Sequence, residues 1–408
     1  MEKLPPELVF YIIQFLSPFD LLKFSQTCKL INEYVNDSFL WKSRLRSTFP
    51  YFSWFDYNFP DNLPWSLFAA KRLIWNSKWF RSNPKKRHIQ DFDNHMTSTC
   101  VQFYSPDSVL CASIDGSLLL FSVRGNKIVE LCKDHIGPVW SVSADSVHGN
   151  VITGGKDTTI HFYKQKQKEN LINNNFINLN NFDEKITHHS VLKFHQKPVS
   201  SVKIVEDHFA ISGSYDEMFC FWDLEKESLI FNKKCQNSIW CLDHLDSLTS
   251  IGSKNGKLEF IDLQTQNTVC EFIDDGVAIS RVLFSDPHSV ISSSYSGFIC
   301  LWDLRSKKLA SKIFANPRGI SSIQFDNQNN LIISSGFDPQ LRFWDLRGFK
   351  ETRDLLNLSD KEREWIVSFN FFDGFIVYSL NGGELGTLNF QLPTLQEIEE
   401  EIFKFKFK

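Results

Sequence analysis

Over most of the chain, apolar and polar residues alternate in short runs such as VSSVKIV (199–205) and ISSIQF (320–325). Strict alternation over four to eight residues, bounded by turn residues, predicts half-buried β-strands. Each run leads into small residues, a polar turn and a second alternating run that closes on an aromatic. The clearest examples are GSYDEMFCFWD (213–223), SSYSGFICLWD (293–303) and SGFDPQLRFWD (335–345). They end in Trp222-Asp223, Trp302-Asp303 and Trp344-Asp345. Weaker copies close on Phe121, Tyr163 and Ile261. The closing positions are therefore 121, 163, 222, 261, 302 and 344, in steps of 42, 59, 39, 41 and 42. A seventh, degraded unit, SLNGGELGTL, ends near Leu388.

A polar turn residue stands six positions before each closing residue: Asp115, Asp157, Asp216, Asn255, Ser296 and Asp338. Short polar side chains bond the neighbouring backbone and so favour tight turns. A repeat of about 40–45 residues holding four short strands predicts a β-propeller blade. Residues 87–392 are therefore expected to form an all-β, seven-bladed propeller. The long step has a visible source in the Asn-, Lys- and Gln-rich stretch 164–189. Such a stretch buries too little apolar surface to offset its ordering entropy. It reads as an insertion between the last two strands of the second blade. RHIQDF (87–92) alternates as well, and reads as an outer strand lent to the last blade. Such a loan would leave no open sheet edge.

The first 48 residues follow a different period. Pro5 and Pro6 suit a first helical turn. Leu8, Ile12, Phe15 and Leu16 then share one helical face. Pro18 ends that helix, and a second carries Leu21, Leu22 and Phe24. A third runs from Cys28 to Val35, and a fourth holds Phe39, Leu40, Trp41 and Leu45. So few residues in short helices make a small core. Their surplus apolar face suits either docking on the rest of the chain or a partner protein. Residues 49–86 are aromatic-rich, and LPWSLFAAKRLIWNSKWF (63–80) predicts one connecting helix. The tail 393–408 turns from acidic to alternating Phe and Lys.

The Trp-Asp units resemble the WD-repeat family. That resemblance implies a histidine ahead of a blade bonded to its turn aspartate, here His135 with Asp157 and His195 with Asp216. The other blades lack the histidine, so different locks are expected there. The N-terminal pattern of Leu4-Pro5, Glu7-Leu8, Ile12, Leu16, Pro18, Asp20-Leu21-Leu22, Cys28 and Leu40-Trp41 resembles an F-box. It departs at Lys29-Leu30-Ile31-Asn32, where an aromatic often follows the Cys. Together these features resemble the F-box/WD-repeat family, the substrate receptors of cullin–RING (SCF-type) ubiquitin ligases. The resemblance implies a small all-α F-box that binds the ligase adaptor, and through it the cullin. Leu4, Pro5, Leu8, Ile12, Leu16, Leu21, Leu22 and Trp41 would be its contact or supporting positions. The propeller's top face would hold the target protein. Two positions per blade point there in such proteins. One set is Trp140, Ser200, Trp240, Ser280 and Ser321. The other is Ile114, Lys156, Tyr215, Lys254, Tyr295 and Phe337. Trp140, Lys156, Tyr215, Trp240, Lys254, Tyr295 and Phe337 are the expected substrate-binding residues. They are rich in aromatics and poor in arginine, so the expected target motif is apolar or aromatic with one acidic group. A second use for Trp140 and Trp240 is to plug the channel.

A net charge of −4 gives no reason to expect nucleic-acid binding. The nine cysteines show neither a C-x-x-C pair nor metal-ligand spacing, so no metal or cofactor is expected. No signal peptide or apolar run near 18 residues is present, which points to the cytoplasm or nucleus, reduced thiols and no membrane. Lys85-Lys86-Arg87-His88 suits either a solvated linker or a weak nuclear import signal. No nucleophile elbow, P-loop, HExxH or RING-type cluster is found, so no catalytic residue is expected. In relatives a segment before the F-box often dimerises. Here the F-box begins at Leu4, and a monomer is expected. The rival reading is a WD-repeat scaffold of a non-ubiquitin complex.

Overall fold

The structure is a computed structural model. It describes residues 84–390, apart from 92–96, 106–107, 124–127, 166–185, 353–354 and the single positions 207, 349, 362 and 373. The expected helices over 4–45 and 63–80, the adaptor-binding positions Leu4 to Trp41, most of the insertion and the tail 393–408 lie outside the described residues. Lys85–Asn389 form one compact unit.

That unit is a ring of seven antiparallel sheets. The innermost strands of blades 1 to 7 are Ser98–Ser105, Val139–Asp145, Val199–Val205, Ile239–Leu245, Ile279–Asp286, Ile320–Asp326 and Ile366–Phe372. Each strand pairs with the next one in sequence until the blade is complete, except that blade 6 splits its outer strand into Lys350–Glu351 and Leu356–Asn357, both paired with Asp338–Asp345. Blade 7 departs from this rule: its fourth strand is Pro84–Asp91, paired with Glu384–Phe390. The expected closure by an N-terminal strand is therefore seen, and the strand starts earlier than the alternation of 87–92 indicated. Lys85 to His88 lie on this strand with exposed side chains, so they form no linker loop. In blade 2 the third and fourth strands are Thr159–Gln165 and Ile186–Lys193. Both reach into the stretch 164–189 that composition assigned to the insertion, which confines the inserted segment to 166–185.

The core lies between blades, not inside one layer. Leu258, Phe260 and Phe272 of blade 4 meet Ile279, Val282, Val290 and Trp302 of blade 5. The junctions of blades 1 and 2, 2 and 3, 3 and 4, 5 and 6, and 7 and 1 repeat this arrangement. A middle strand is covered on both faces, so Asn150–Gly155 and Leu331–Gly336 are buried at every position. An outer strand is covered on one face, and Ser228–Lys234 alternates strictly. Phe162, Phe219, Phe260 and Phe343 are fully buried on third strands. Truncating one of them to Ala would cost about 3–5 kcal/mol.

Polar links join neighbouring innermost strands at six of the seven junctions. Thr99 Oγ1 donates to the Val139 carbonyl, Ser200 Oγ to Ile239 and Ser321 Oγ to Ile366. The Cys241 thiol makes the weaker equivalent to Ile279 O, at 3.7 Å. Ser141 Oγ accepts from Val202 N, and Ser368 Oγ from Val101 N, which closes blade 7 on blade 1.

Blades 2 to 6 are also locked within themselves, and the locks differ. In blade 3 Trp222 Nε1 donates to Ser212 Oγ at 2.8 Å. Ser212 Oγ lies 2.8 Å from His195 Nε2, and His195 Nδ1 lies 3.0 Å from Asp216. The carboxylate fixes the tautomer: Nδ1–H donates to Asp216, and the Ser212 hydroxyl donates to Nε2. Blade 2 repeats this with Asp157, His135 and Thr153, and with Tyr163 in the place of the indole. Gly155 is required there, because a Cβ would lie 2.5 Å from His135 Nδ1. Blade 5 keeps Trp302 on Ser292 but puts Asp274 in place of the histidine, held by Lys312 at 2.9 Å. Blade 6 pairs Arg342 with Asp338 through both terminal guanidinium nitrogens, and Asn316 joins them. Blade 4 buries Lys257 beside Glu259 at 3.4 Å, with Glu271 at 2.8 Å.

Candidate functional site

In every blade the innermost strand begins at the end of the ring where the second strand turns into the third. One backbone hydrogen bond ties these two features together. The N–H of the residue before the turn residue donates to a carbonyl ahead of the innermost strand. The pairs are Ile114 to Thr97, Lys156 to Pro138, Tyr215 to Pro198, Lys254 to Ser238, Tyr295 to Ala278, Phe337 to Gly319 and Asn381 to Trp365. The same bond in all seven blades places those seven side chains around one mouth.

Aromatic rings join across that mouth. Trp140 lies 5.2 Å from Tyr215, and Tyr215 lies 6.0 Å from Trp240. Trp240 lies 5.2 Å from Tyr295, in an edge-on contact. Tyr295 stacks on Phe337 at 5.4 Å, and Phe337 lies 6.3 Å from Trp365. These separations are those of packed aromatic pairs. The arc spans blades 2 to 7, one ring from each. Its first five rings are half-buried, and Trp365 is 36% exposed. The indole N–H of Trp240 is shielded from solvent and has no acceptor. Burial raises the phenol pKa of Tyr215 and of Tyr295, and Arg281 opposes that rise at Tyr295.

Of the residues that sequence pointed to, Trp140, Tyr215, Trp240, Tyr295 and Phe337 are brought into this one arc. Lys156 and Lys254 stand at the matching turn positions of blades 2 and 4, exposed and forming no ion pair with another described residue. Ser200 and Ser321 are spent on the links between blades, and Ser280 bonds Ser293 Oγ at 2.8 Å.

Three residues of this face escaped the periodic reading. Trp365 lies just ahead of the innermost strand of blade 7, outside the repeated positions. Asn381 occupies the position before the turn in that degraded blade; its Oδ1 accepts from Trp365 N at 2.8 Å. Arg281 is half-buried beside Tyr295 and Cys241 and forms no ion pair with another described residue. A sequence signal for Arg281 did exist. It interrupts a column of small residues, Cys100, Ser141, Ser201, Cys241, Ser322 and Ser368.

Comparison with known proteins agrees with this architecture. An F-box-like family model matches residues 1–47. The WD domain, G-beta repeat model matches 126–164 and 308–345. F-box/WD repeat-containing protein 7 of Drosophila melanogaster is 31% identical over 150 residues, 34% of this chain and 11% of that protein. Echinoderm microtubule-associated protein-like 3 of Homo sapiens is 25% identical over 42% of this chain and 20% of its own length. Ribosome biogenesis protein YTM1 of Coccidioides immitis (strain RS) is 26% identical over 51% of this chain and 50% of its own. The chain thus spans half or less of each of these relatives. The WD40 β-propeller domain of Doa1 superposes with a TM-score of 0.61 at 18% identity, over 75% of this chain and 97% of that domain. That likeness shows the propeller fold. With an F-box-like segment ahead of a WD-repeat propeller, the chain is an F-box/WD-repeat protein.

Proposed function

We propose that this chain is the substrate-recognition subunit of a cullin–RING ubiquitin ligase. Its F-box docks on the adaptor subunit, and its propeller holds the target on the aromatic arc. The observation that carries the reading is the pairing of an F-box-like match at 1–47 with a continuous aromatic surface at the propeller mouth. The chain itself does no chemistry in this scheme. It holds a target lysine near the transfer machinery, which raises the effective concentration of the attacking amine.

The arc also narrows the target. Large rings bury much area for little rotamer entropy, so they suit apolar or aromatic anchors of a short motif. Arg281 supplies a guanidinium beside the arc, and one acidic group in the motif would pair with it.

Adaptor capture by the full chain, beside an Ile12→Asp, Leu16→Asp variant, tests the first half. Capture by the parent and not by the variant is expected. A folded parent that captures no adaptor would remove this reading and leave the scaffold reading in its place. Trp240→Ala and Tyr295→Ala test the second half; each should reduce target ubiquitination with adaptor capture unchanged. Unchanged target binding in both variants would move the recognition surface elsewhere.

A further inference from the structure

Blade 2 departs from its neighbours in one chemical respect. The third-strand position that holds Cys220 in blade 3 and Cys300 in blade 5 holds His161 here. His161 is buried, at 6% exposure, and its Nδ1 lies 3.0 Å from Nε2 of His188 on the fourth strand. The exposed Asp134, in the loop that leads out of blade 1, completes a set whose ligating atoms all lie within 4.8 Å of one another. We propose that Asp134, His161 and His188 form a zinc site on the edge where blade 1 meets blade 2.

Three observations carry this. First, two nitrogens on one tetrahedral zinc stand about 3.3 Å apart, given Zn–N bonds near 2.05 Å. The imidazole nitrogens are already within a few tenths of an ångström of that separation. Second, the rings are held in place from behind. His161 Nε2 lies 3.1 Å from Thr159 Oγ1, and donating there leaves a lone pair on Nδ1. A hydrogen-bond partner on the far nitrogen is what orients a metal-binding histidine. Tyr163 meets His188 edge-on at 5.4 Å and stacks on His161 at 6.3 Å. Third, the ligand types select the ion. Two imidazoles with one carboxylate suit zinc, whereas magnesium and calcium prefer oxygen. His188 and Asp134 are open to solvent, so the ion has an entry path and a free fourth position.

The bland arrangement of the same atoms is a neutral N–H···N bond between His161 and His188. In the zinc form the metal replaces that shared proton. It then clips the loop after blade 1 to the outer strand of blade 2, just after the inserted segment 166–185. The proposal is independent of the ubiquitin-ligase reading.

The test uses the full chain, stripped with a chelator and titrated with zinc against a chromophoric competitor. One equivalent of zinc is expected. Losing even an outer partner of a metal site costs about 10–100-fold in affinity, so His188→Asn and Asp134→Asn should each weaken binding by at least that factor. His189→Asn should bind as the parent does, because His189 faces Glu227 instead, at 3.2 Å. His188 and Asp134 are exposed, so their replacement should leave the fold intact, which circular dichroism checks. No stoichiometric zinc in the parent, or equal affinity in His188→Asn, would overturn the proposal. So would intense thiolate-to-metal absorption in the cobalt form, which would place the metal on cysteines.

Discussion

Ser212→Ala should destabilise the propeller far more than its size suggests. The change removes one oxygen atom, so its cavity term is small. Its polar consequence is large, because Ser212 is 1% exposed and joins two buried partners. Trp222 Nε1 loses its acceptor at 2.8 Å, and His195 Nε2 loses its donor at 2.8 Å. Each buried group left unsatisfied costs about 1–3 kcal/mol, so the expected loss for the two is roughly 2–6 kcal/mol. Urea unfolding followed by far-ultraviolet circular dichroism would read this as a lower midpoint at unchanged slope. A double-mutant cycle isolates the cause. Trp222→Phe already removes the indole donor, so Ser212→Ala should cost about 1–3 kcal/mol less in that background. A loss below about 0.5 kcal/mol for Ser212→Ala, or costs that simply add in the double mutant, would refute the relay as the blade's lock.

The ion pair in blade 4 makes a contrasting case. Lys257→Met alone should cost about 3–5 kcal/mol by stranding Glu259, while Lys257→Met with Glu259→Leu should be close to neutral; thermal unfolding of the three forms distinguishes the outcomes. Burial opposes the charge on Asp216, yet hydrogen bonds from His195 and from the Gln196 and Met218 N–H groups outweigh it and hold the carboxyl at about 2. Its folded pKa is thus depressed below the ordinary carboxyl value of 3.8. The stability it supplies is complete above that value and is lost as pH falls towards about 2, so Asp216→Asn should flatten the acid limb of the stability profile between those pH values. Burial pushes the Cys241 thiol up to about 12. At pH 8 on the order of one molecule in ten thousand would carry the thiolate. Iodoacetamide should therefore leave Cys241 unlabelled in the native chain and modify it in urea, as mass spectrometry would show. Labelling of native Cys241 at the rate of a free thiol would contradict its burial.

Much of the fold was legible in the residues because a repeat multiplies a weak local signal. One alternating strand is ambiguous, but six closing positions at near-constant steps are not. The turn residues Asp157 and Asp216 and the histidines His135 and His195 could be paired in advance only through the resemblance to WD repeats, and both pairs are seen. The locks of blades 4, 5 and 6 could not be anticipated. Lys257 with Glu259, Lys312 with Asp274, and Arg342 with Asp338 follow no shared spacing, and any charged residue on a strand reads at first as solvated. The top-face aromatics were placed by the family resemblance, which points to the second residue of the innermost strand and the residue before the turn. Their union into one arc was decided by ring closure. Trp140 and Trp365 are 225 positions apart in sequence yet end a single run of touching rings. Trp365 and Arg281 were missed for one reason: each breaks the period by which the rest were found. The His161–His188 pair was hidden as well, because the inserted segment separates the two strands in sequence and only hairpin pairing brings them together. Periodicity, turn chemistry and the N-terminal apolar pattern were set by the sequence itself, since these depend on neighbours within a few residues. The blade locks, the arc and the histidine cluster were decided by tertiary structure, since they depend on which faces the closed ring presses together.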